Sequence, residues 1–534
     1  MDIYEQPTEP WKPDKEAQGQ THAPQSASVV GASVQQHKGL SRRALFTGLL
    51  GAGAVAVAGG IAFEQWEQHG GLGYQGPPAS TAQIGHLLRR AGFGARPDEL
   101  AAYAALGYNG AVDRLINYQQ VPDDAMESRL KSLNLDFSKV QDQQRWWLLR
   151  MAWTQRPLLE KMTLFWHGVL TSSYRKTGAQ PILMNTQNNF LRSHAFDSYD
   201  NILLGITSDP AMLFYLDLTK STKKAPNENY ARELMELFTL GLGQYTQQDV
   251  YQGAAALTGW HVRGRIKAGQ TPVAQYYPKD HSGKEITYLG QKGAFDYKDI
   301  VRILANHPAT PWFICKKLFT FFAYENPSND DLKPLVDTYV KSNHNMGEVM
   351  KTLLLSPQFN SAKAYRARIK SPTEFVAGAY HALNVSSDGK ELPYQTIVMG
   401  QTLYDPPNVA GWPADKVSAI WLNSGTWMAR LNYVNLLLNG GRSNTSAYKS
   451  IDFQGIVSAN HIETPEHFVD YFASYLLDGN LAADRKAQLV DYFKAQDTRP
   501  GKGKITLTNG QSYALSKVRG TVYLMTALPE YQLN

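Results

Sequence analysis

From Ala82 to the C-terminus apolar residues recur three and four positions apart, and this periodicity decides which class of fold is open to the chain. Ile84, Leu87, Leu88 and Ala91 begin it. Gln143 to Thr154 carries Trp146, Trp147, Leu149, Met151 and Trp153, apolar nearly all round, so this helix belongs at the centre of the body with its tryptophans in the core. Pro157 opens the next helix, where its missing N–H costs nothing, and Gly168 is placed to cap it. Further helices are predicted over 228–240, 247–257, 298–305, 311–323, 329–341, 346–355, 372–383, 425–438, 465–477 and 483–495. Strand signals are sparse: Ile286-Thr287-Tyr288-Leu289, and Lys504 to Leu515, where Asn509-Gly510 suits a two-residue hairpin turn. The expected fold is mainly α, a large multi-helix body with length enough for two lobes and with minor β-hairpins.

With 534 residues, 43% of them hydrophobic, the chain has ample material for a core. Its net charge of +6 is scattered, with no concentrated basic face for nucleic acid. The single cysteine, Cys315, excludes an intramolecular disulfide and suits a chain that folds in a reducing compartment. Trp312, Phe313, Leu318 and Phe319 around it mark it as a small buried hydrophobe. No Gly-x-Ser-x-Gly elbow, Walker loop or Rossmann fingerprint is present, so the α/β-hydrolase, P-loop and dinucleotide-binding readings have no support.

The N-terminal part has its own logic. Residues 1–40 are polar and rich in Gln, Pro and Ala, a composition expected to stay disordered. Ser41-Arg42-Arg43-Ala44-Leu45-Phe46 then leads into an apolar run, Thr47 to Phe63, built largely of Gly, Ala and Val. Adjacent arginines before such a run form a twin-arginine transport signal, here spanning 41–63. The run lies at the short edge of a membrane span, and Ala56-Val57-Ala58 offers a small-x-small cleavage site, so removal and retention as an anchor both stand. Residues 64–81, with Gly70-Gly71 and Pro77-Pro78, read as a linker to a body spanning 82–534. The expected location is extracytoplasmic, secreted or anchored to the outer face of the cytoplasmic membrane. The expected partner is the twin-arginine translocase, with membrane contact only through 47–63 if that segment is kept.

Several stretches of the body together resemble one bacterial family. They are His86-Leu87-Leu88-Arg89-Arg90-Ala91-Gly92-Phe93-Gly94, Phe165-Trp166-His167 within Lys161 to Gly168, Asp209-Pro210-Ala211-Met212, and the block Asn227 to Gly241. Leu257-Thr258-Gly259-Trp260, His307-Pro308, Ser371-Pro372-Thr373-Glu374-Phe375, Pro406-Pro407 and Gly411-Trp412-Pro413 follow in order. The pattern is similar to the family called domain of unknown function 1800, from about Ala82 to the C-terminus. The resemblance implies export and, as a partner, a sulfatase-like companion protein; it implies no reaction. Members commonly carry a second histidine two residues after that of Phe-Trp-His, where this chain has Val169, and the difference weakens a carried-over metal site.

The helix after Asn227 carries the clearest chemistry. At about 100° per residue Asn229, Arg232, Glu233 and Glu236 share one stripe, and Ala231, Leu234, Met235 and Phe238 the opposite one. Carboxylates three apart can divide acid and base roles or hold a metal between helices. Local ion pairing from Arg232 to Glu236 is the bland alternative. Phe238-Thr239-Leu240-Gly241 and Tyr245 continue the apolar character, which makes the helix interior and its carboxylates either a functional site or a buried structural network. His167, at the end of an apolar helix, is a hydrogen-bonded core residue or a base. His281 lies in a turn-rich loop and His307 precedes a proline. Three histidines and two glutamates are enough for a divalent metal, but no spacing matches a ligand motif and no metal ligand is assigned. Thr246 to Asp249 reads as a helix N-cap. Trp260 and Trp412 follow loop glycines and either stack on sugar rings or pack in the core.

The candidate catalytic residues are therefore Glu233, Glu236, Arg232 and His167, and the candidate binding residues Asn227, Asn229, Trp260, Trp412 and His281. Two functions fit: an extracytoplasmic hydrolase of envelope or extracellular polymer, with or without metal assistance, or a non-catalytic binding or assembly partner of a sulfatase-like exported protein.

Overall fold

Helices dominate because the chain caps them locally. Ser328 accepts from the Asp331 N–H to start Asn329–Lys341, and Asn345 accepts from the Glu348 N–H to start Met346–Leu355. Both helices have the predicted bounds, and they pack against each other. The computed structural model describes residues 80–177, 181–264, 271–440, 451–497 and 503–534. The N-terminal region, the twin-arginine signal and nearly all of the linker lie outside the described residues. Among the described residues there are 23 α-helices and three two-stranded antiparallel hairpins, so the fold is mainly α as expected. No described helix is long and apolar enough to cross a membrane.

Two local expectations are corrected. Gly168 does not cap its helix, which runs Pro157–Val169 past it. A Cβ there would lie 2.8 Å from Asp415 Oδ2, so the glycine serves close packing. The C-terminal hairpin pairs Lys504–Thr506 with Ser512–Ala514, but its turn has three residues. Leu507 N–H donates to Gln511 O at 2.8 Å, Gly510 N–H donates to Leu507 O at 2.9 Å, and Gly510 takes φ +87°, the left-handed residue that a three-residue loop requires. A further hairpin was not foreseen: Trp260–Arg263 pairs with Val273–Tyr276, Trp260 opposite Tyr276.

The described residues belong to one compact unit, and its buried apolar side chains form two large clusters. One gathers Leu87, Phe165, Trp166, Tyr199, Leu318 and Phe322. The other gathers Trp147, Phe375, Tyr433 and Phe472, while Phe321 and Tyr475 pack against both. Trp146 and Trp147 are buried as predicted, whereas Trp153 is half-buried beneath the Arg129 guanidinium, 3.5 Å away. Trp147 also has a polar duty: its Nε1–H donates to Glu160 at 3.0 Å, and Arg192 pairs with the same carboxylate at 2.7 Å.

Candidate carboxylate pair and the motif network

Asn227 shapes the start of the carboxylate helix. Its Oδ1 accepts from the Asn229 N–H at 2.9 Å, and its own N–H donates to Ser221 Oγ at 3.0 Å. Asn229 reaches back to Asp217 at 3.4 Å, so both candidate binding residues set the local turn. The helix is not the uninterrupted α-helix expected. It is α over Asn229–Glu233 and π over Leu234–Thr239. The widened turn is seen in the Leu240 N–H, which donates to Met235 O at 2.7 Å, and in Thr239 Oγ1, which donates to Leu234 O at 2.6 Å. Such π turns inside helices occur often at functional sites. Tyr230, Ala231, Leu234, Met235 and Phe238 are buried, as the apolar stripe demands. Arg232, Glu233 and Glu236 are half-buried, which replaces the expected interior position with the wall of an accessible face.

The two carboxylates have different surroundings. Glu236 accepts from the Tyr245 hydroxyl at 2.5 Å. Glu233 takes part in no hydrogen bond or ion pair among the described residues, and burial, reinforced by the Glu236 charge, pushes its carboxyl above the usual range. Arg232 does not pair with Glu236; it reaches back to Glu228 at 2.8 Å and across to Gln247 at 3.0 Å. Near Glu233, the Tyr215 phenol is pushed up first by burial and then by the charges of Asp405 and Glu233. Asp405 itself is held by Ser173 at 2.6 Å and Arg175 at 2.5 Å.

His167 belongs elsewhere. It is buried, its Nε2 accepts from the Tyr404 N–H at 3.1 Å, and the rings of Trp147, Tyr404 and Trp412 surround it at 5.4, 5.5 and 5.4 Å. It makes no hydrogen bond to either glutamate, and burial holds its imidazole down at about 3, so it is a packed neutral residue and not the base of this pair. Val169 is buried in the core beside it. Trp412 packs on His167, and Trp260 is buried against Tyr276 and Tyr297 at 5.3 and 4.8 Å, so neither tryptophan is an open platform. His281 sits against Thr258, its Nδ1 3.3 Å from the carbonyl oxygen, and His307 accepts from the Ala309 N–H at 3.2 Å. The histidines therefore serve separate turns. Among the described residues no group of three or more His, Cys, Asp or Glu could hold a metal ion.

Other motif residues converge in the interior. Arg90 donates to the carbonyls of Phe321, Phe322 and Ala323 at 2.9, 2.8 and 3.2 Å, closing the end of the Ala309–Phe322 helix. Lys161 pairs with Glu374 and donates to Gly92 O at 3.0 Å. Burial alone would raise the Glu374 carboxyl, but Lys161 overrides it and holds the group at about 2. Sequence reasoning missed the acid–histidine pairs His344–Asp200, His261–Asp280 and Glu99–His381, the last of which lines a small hollow with Phe93 and Thr154. His381 Nε2 meets Glu99 and its Nδ1 meets Ala152 O, each at 2.6 Å. Both ring nitrogens are engaged, so the pair ties three helices together and has no nitrogen free for a substrate. Nothing in the spacing of these residues could have joined them.

A mainly α protein, with Arg90, Lys161 and Glu374 of its motifs tied inside the body, is the class defined here. The family model described as protein of unknown function (DUF1800) matches residues 86–533, and the chain belongs to that family. No curated protein and no solved structure matches the chain.

Proposed function

We propose that the protein is an extracytoplasmic hydrolase of an envelope or extracellular polymer, with Glu233 as proton donor and Glu236 as base. The observation that carries this reading is the asymmetry of the pair. Glu233 is unpaired, half-buried and pushed toward its protonated form, while Glu236 accepts a hydrogen bond from Tyr245. Two carboxyls whose surroundings differ in this way can divide acid and base work. Protonated Glu233 gives its proton to the departing oxygen of the cleaved bond. Glu236, steadied by the Tyr245 hydroxyl, takes a proton from the attacking water. Arg232, held by Glu228 and Gln247, supplies positive charge beside the pair. His167 supports the Tyr404–Trp412 segment and takes no proton in this scheme.

The test is release of soluble fragments from isolated cell envelopes by the purified protein, beside Glu233→Gln and Glu236→Gln. The expected outcome is loss of release in both variants with unfolding midpoints unchanged or raised, because functional carboxylates are held under electrostatic strain. A loss of about 3–5 kcal/mol of stability in either variant would instead mark the pair as structural. Binding of envelope fragments with no release by the unaltered protein would turn the reading to the non-catalytic partner.

A further inference from the structure

The loop that enters the carboxylate helix carries Lys220, Lys223 and Lys224, and the fold brings Lys176 and Lys279 to it. Thr222 N–H donates to Ala225 O at 3.2 Å and Ala225 N–H to Thr222 O at 3.1 Å, so Lys223 and Lys224 form the tip of a two-residue turn. Lys223 Nζ donates to Lys279 O at 2.9 Å and joins that tip to the Pro278–Asp280 turn. Lys220 pairs with Asp217 at 2.6 Å, and the other oxygen of Asp217 accepts from Asn229 Nδ2 at 3.4 Å, one helical turn before Glu233. Tyr174–Lys176 and Leu218–Lys220 both pack on the Pro210–Tyr215 helix. There Lys176 Nζ lies 5.1 Å from the ring centre of Tyr215, whose phenol is raised first by burial and then by the charges of Asp405 and Glu233.

These five lysines are exposed. Asp217 answers Lys220, Glu228 answers Arg232, Asp405 answers Arg175 and Asp280 answers His261. Lys176, Lys223, Lys224 and Lys279 form no ion pair among the described residues, and neither do Glu233 and Glu236. Four unanswered cations thus stand against two unanswered acids, and Glu233 is pushed toward its neutral form. The lysines are scattered along the chain, so no basic run announces them; the fold gathers them. A patch of one sign beside a site draws in ligands of the other sign. Lysine is a point charge without arginine's planar fork, so carboxylate and phosphate suit it alike.

We propose that the polymer bound at the Glu233–Glu236 face is a polyanion, its carboxylate or phosphate groups lying along Lys176, Lys223, Lys224 and Lys279 while its chain crosses the acid pair. The proposal rests on the reading of that pair as the hydrolytic site and names its substrate class.

Calorimetric titration of the full chain with polygalacturonate, its fully methyl-esterified form and inorganic polyphosphate tests this. A polyanion should bind saturably and more weakly as salt rises, and the neutral ester should not bind. Polyphosphate binding tighter than polygalacturonate would assign phosphate groups, and the reverse order carboxylates. The triple variant Lys176→Gln, Lys223→Gln, Lys224→Gln should weaken the tighter polyanion roughly 10- to 100-fold. Lys131→Gln, Lys341→Gln, Lys504→Gln, the same loss of charge on other elements, should weaken it less than about threefold. Glu236→Gln, which removes an acid beneath the polymer, should tighten it roughly 2- to 5-fold. Absence of saturable binding by both polyanions, equal binding of the ester, equal weakening by the two triple variants, or binding unchanged by Glu236→Gln would each overturn the proposal. Release of envelope fragments without these charge effects would overturn it alone. The charge effects without release would overturn the hydrolytic reading alone and uphold a polyanion-binding face.

Discussion

A buried imidazole whose Nε2 already accepts a backbone N–H has no room for a proton on that nitrogen, and His167 is in this position. Its folded value is about 3 against an ordinary 6.5. As pH falls, the unfolded chain binds this proton near 6.5 and the folded chain only near 3. The stabilising effect of the neutral ring is therefore complete above 6.5 and is lost between the two values, by about 1.4 kcal/mol per pH unit. His86, also held at about 3 by burial and by Arg89 and Arg90, adds a similar slope. Urea unfolding of His167→Gln between about pH 6.5 and about pH 5 should show a stability slope flatter than that of the unaltered protein by about 1.4 kcal/mol per pH unit. Equal slopes would show that the ring titrates normally in the fold. At this scale burial, not residue type, separates His167 from Glu233: both were candidates in the sequence, and one is sealed by Trp147, Tyr404 and Trp412 while the other is half-open and unpaired.

Among elements, the Gly411 loop closely approaches the end of the Pro157–Val169 helix. Gly411 has φ +83°, and a Cβ there would collide with the Gly168 carbonyl oxygen. Gly411→Ala should lower stability by at least about 1–3 kcal/mol, from backbone strain alone. Thermal unfolding checks it, and an unchanged midpoint would mean that the loop is free to move off the helix. The same contrast of local and distant causes explains what could be read beforehand. Asn329–Lys341 and Met346–Leu355 were legible because Ser328 and Asn345 cap them from the adjoining residue. The π turn at Leu234–Thr239 was not, because its apolar face has the spacing of an ordinary helix and its end packs at Gly241 against Phe313, far along the chain. The Trp260–Arg263 strand was missed because four residues carry little period and its partner begins only at Val273.

On the scale of the whole molecule, the residues that carry the family resemblance act mainly as ties. Arg89, Arg90, Lys161 and Glu374 close helix ends and pair charges inside the body, whereas Glu233 and Glu236 stand on an accessible face. The motifs thus located the family and the fold, but only the half-open pair among them points to a reaction. Export is the matching whole-chain prediction. Replacing Arg42 and Arg43 by lysine should leave the protein inside the cytoplasmic membrane, as read by cell fractionation; normal amounts outside would remove the twin-arginine reading.

One of these ties also sets a timetable. Asp478 follows its partner Arg89 by 389 residues. At roughly 5–20 residues per second, the Ser80–Arg90 helix waits about 20–80 s for its counter-charge to be made. Under the proposed export, a signal at the N-terminus would thus be on offer long before the body behind it can close. A route that carries only closed cargo would have to ignore that early invitation, and the arrival of Asp478 would be the clock that says when the cargo is ready.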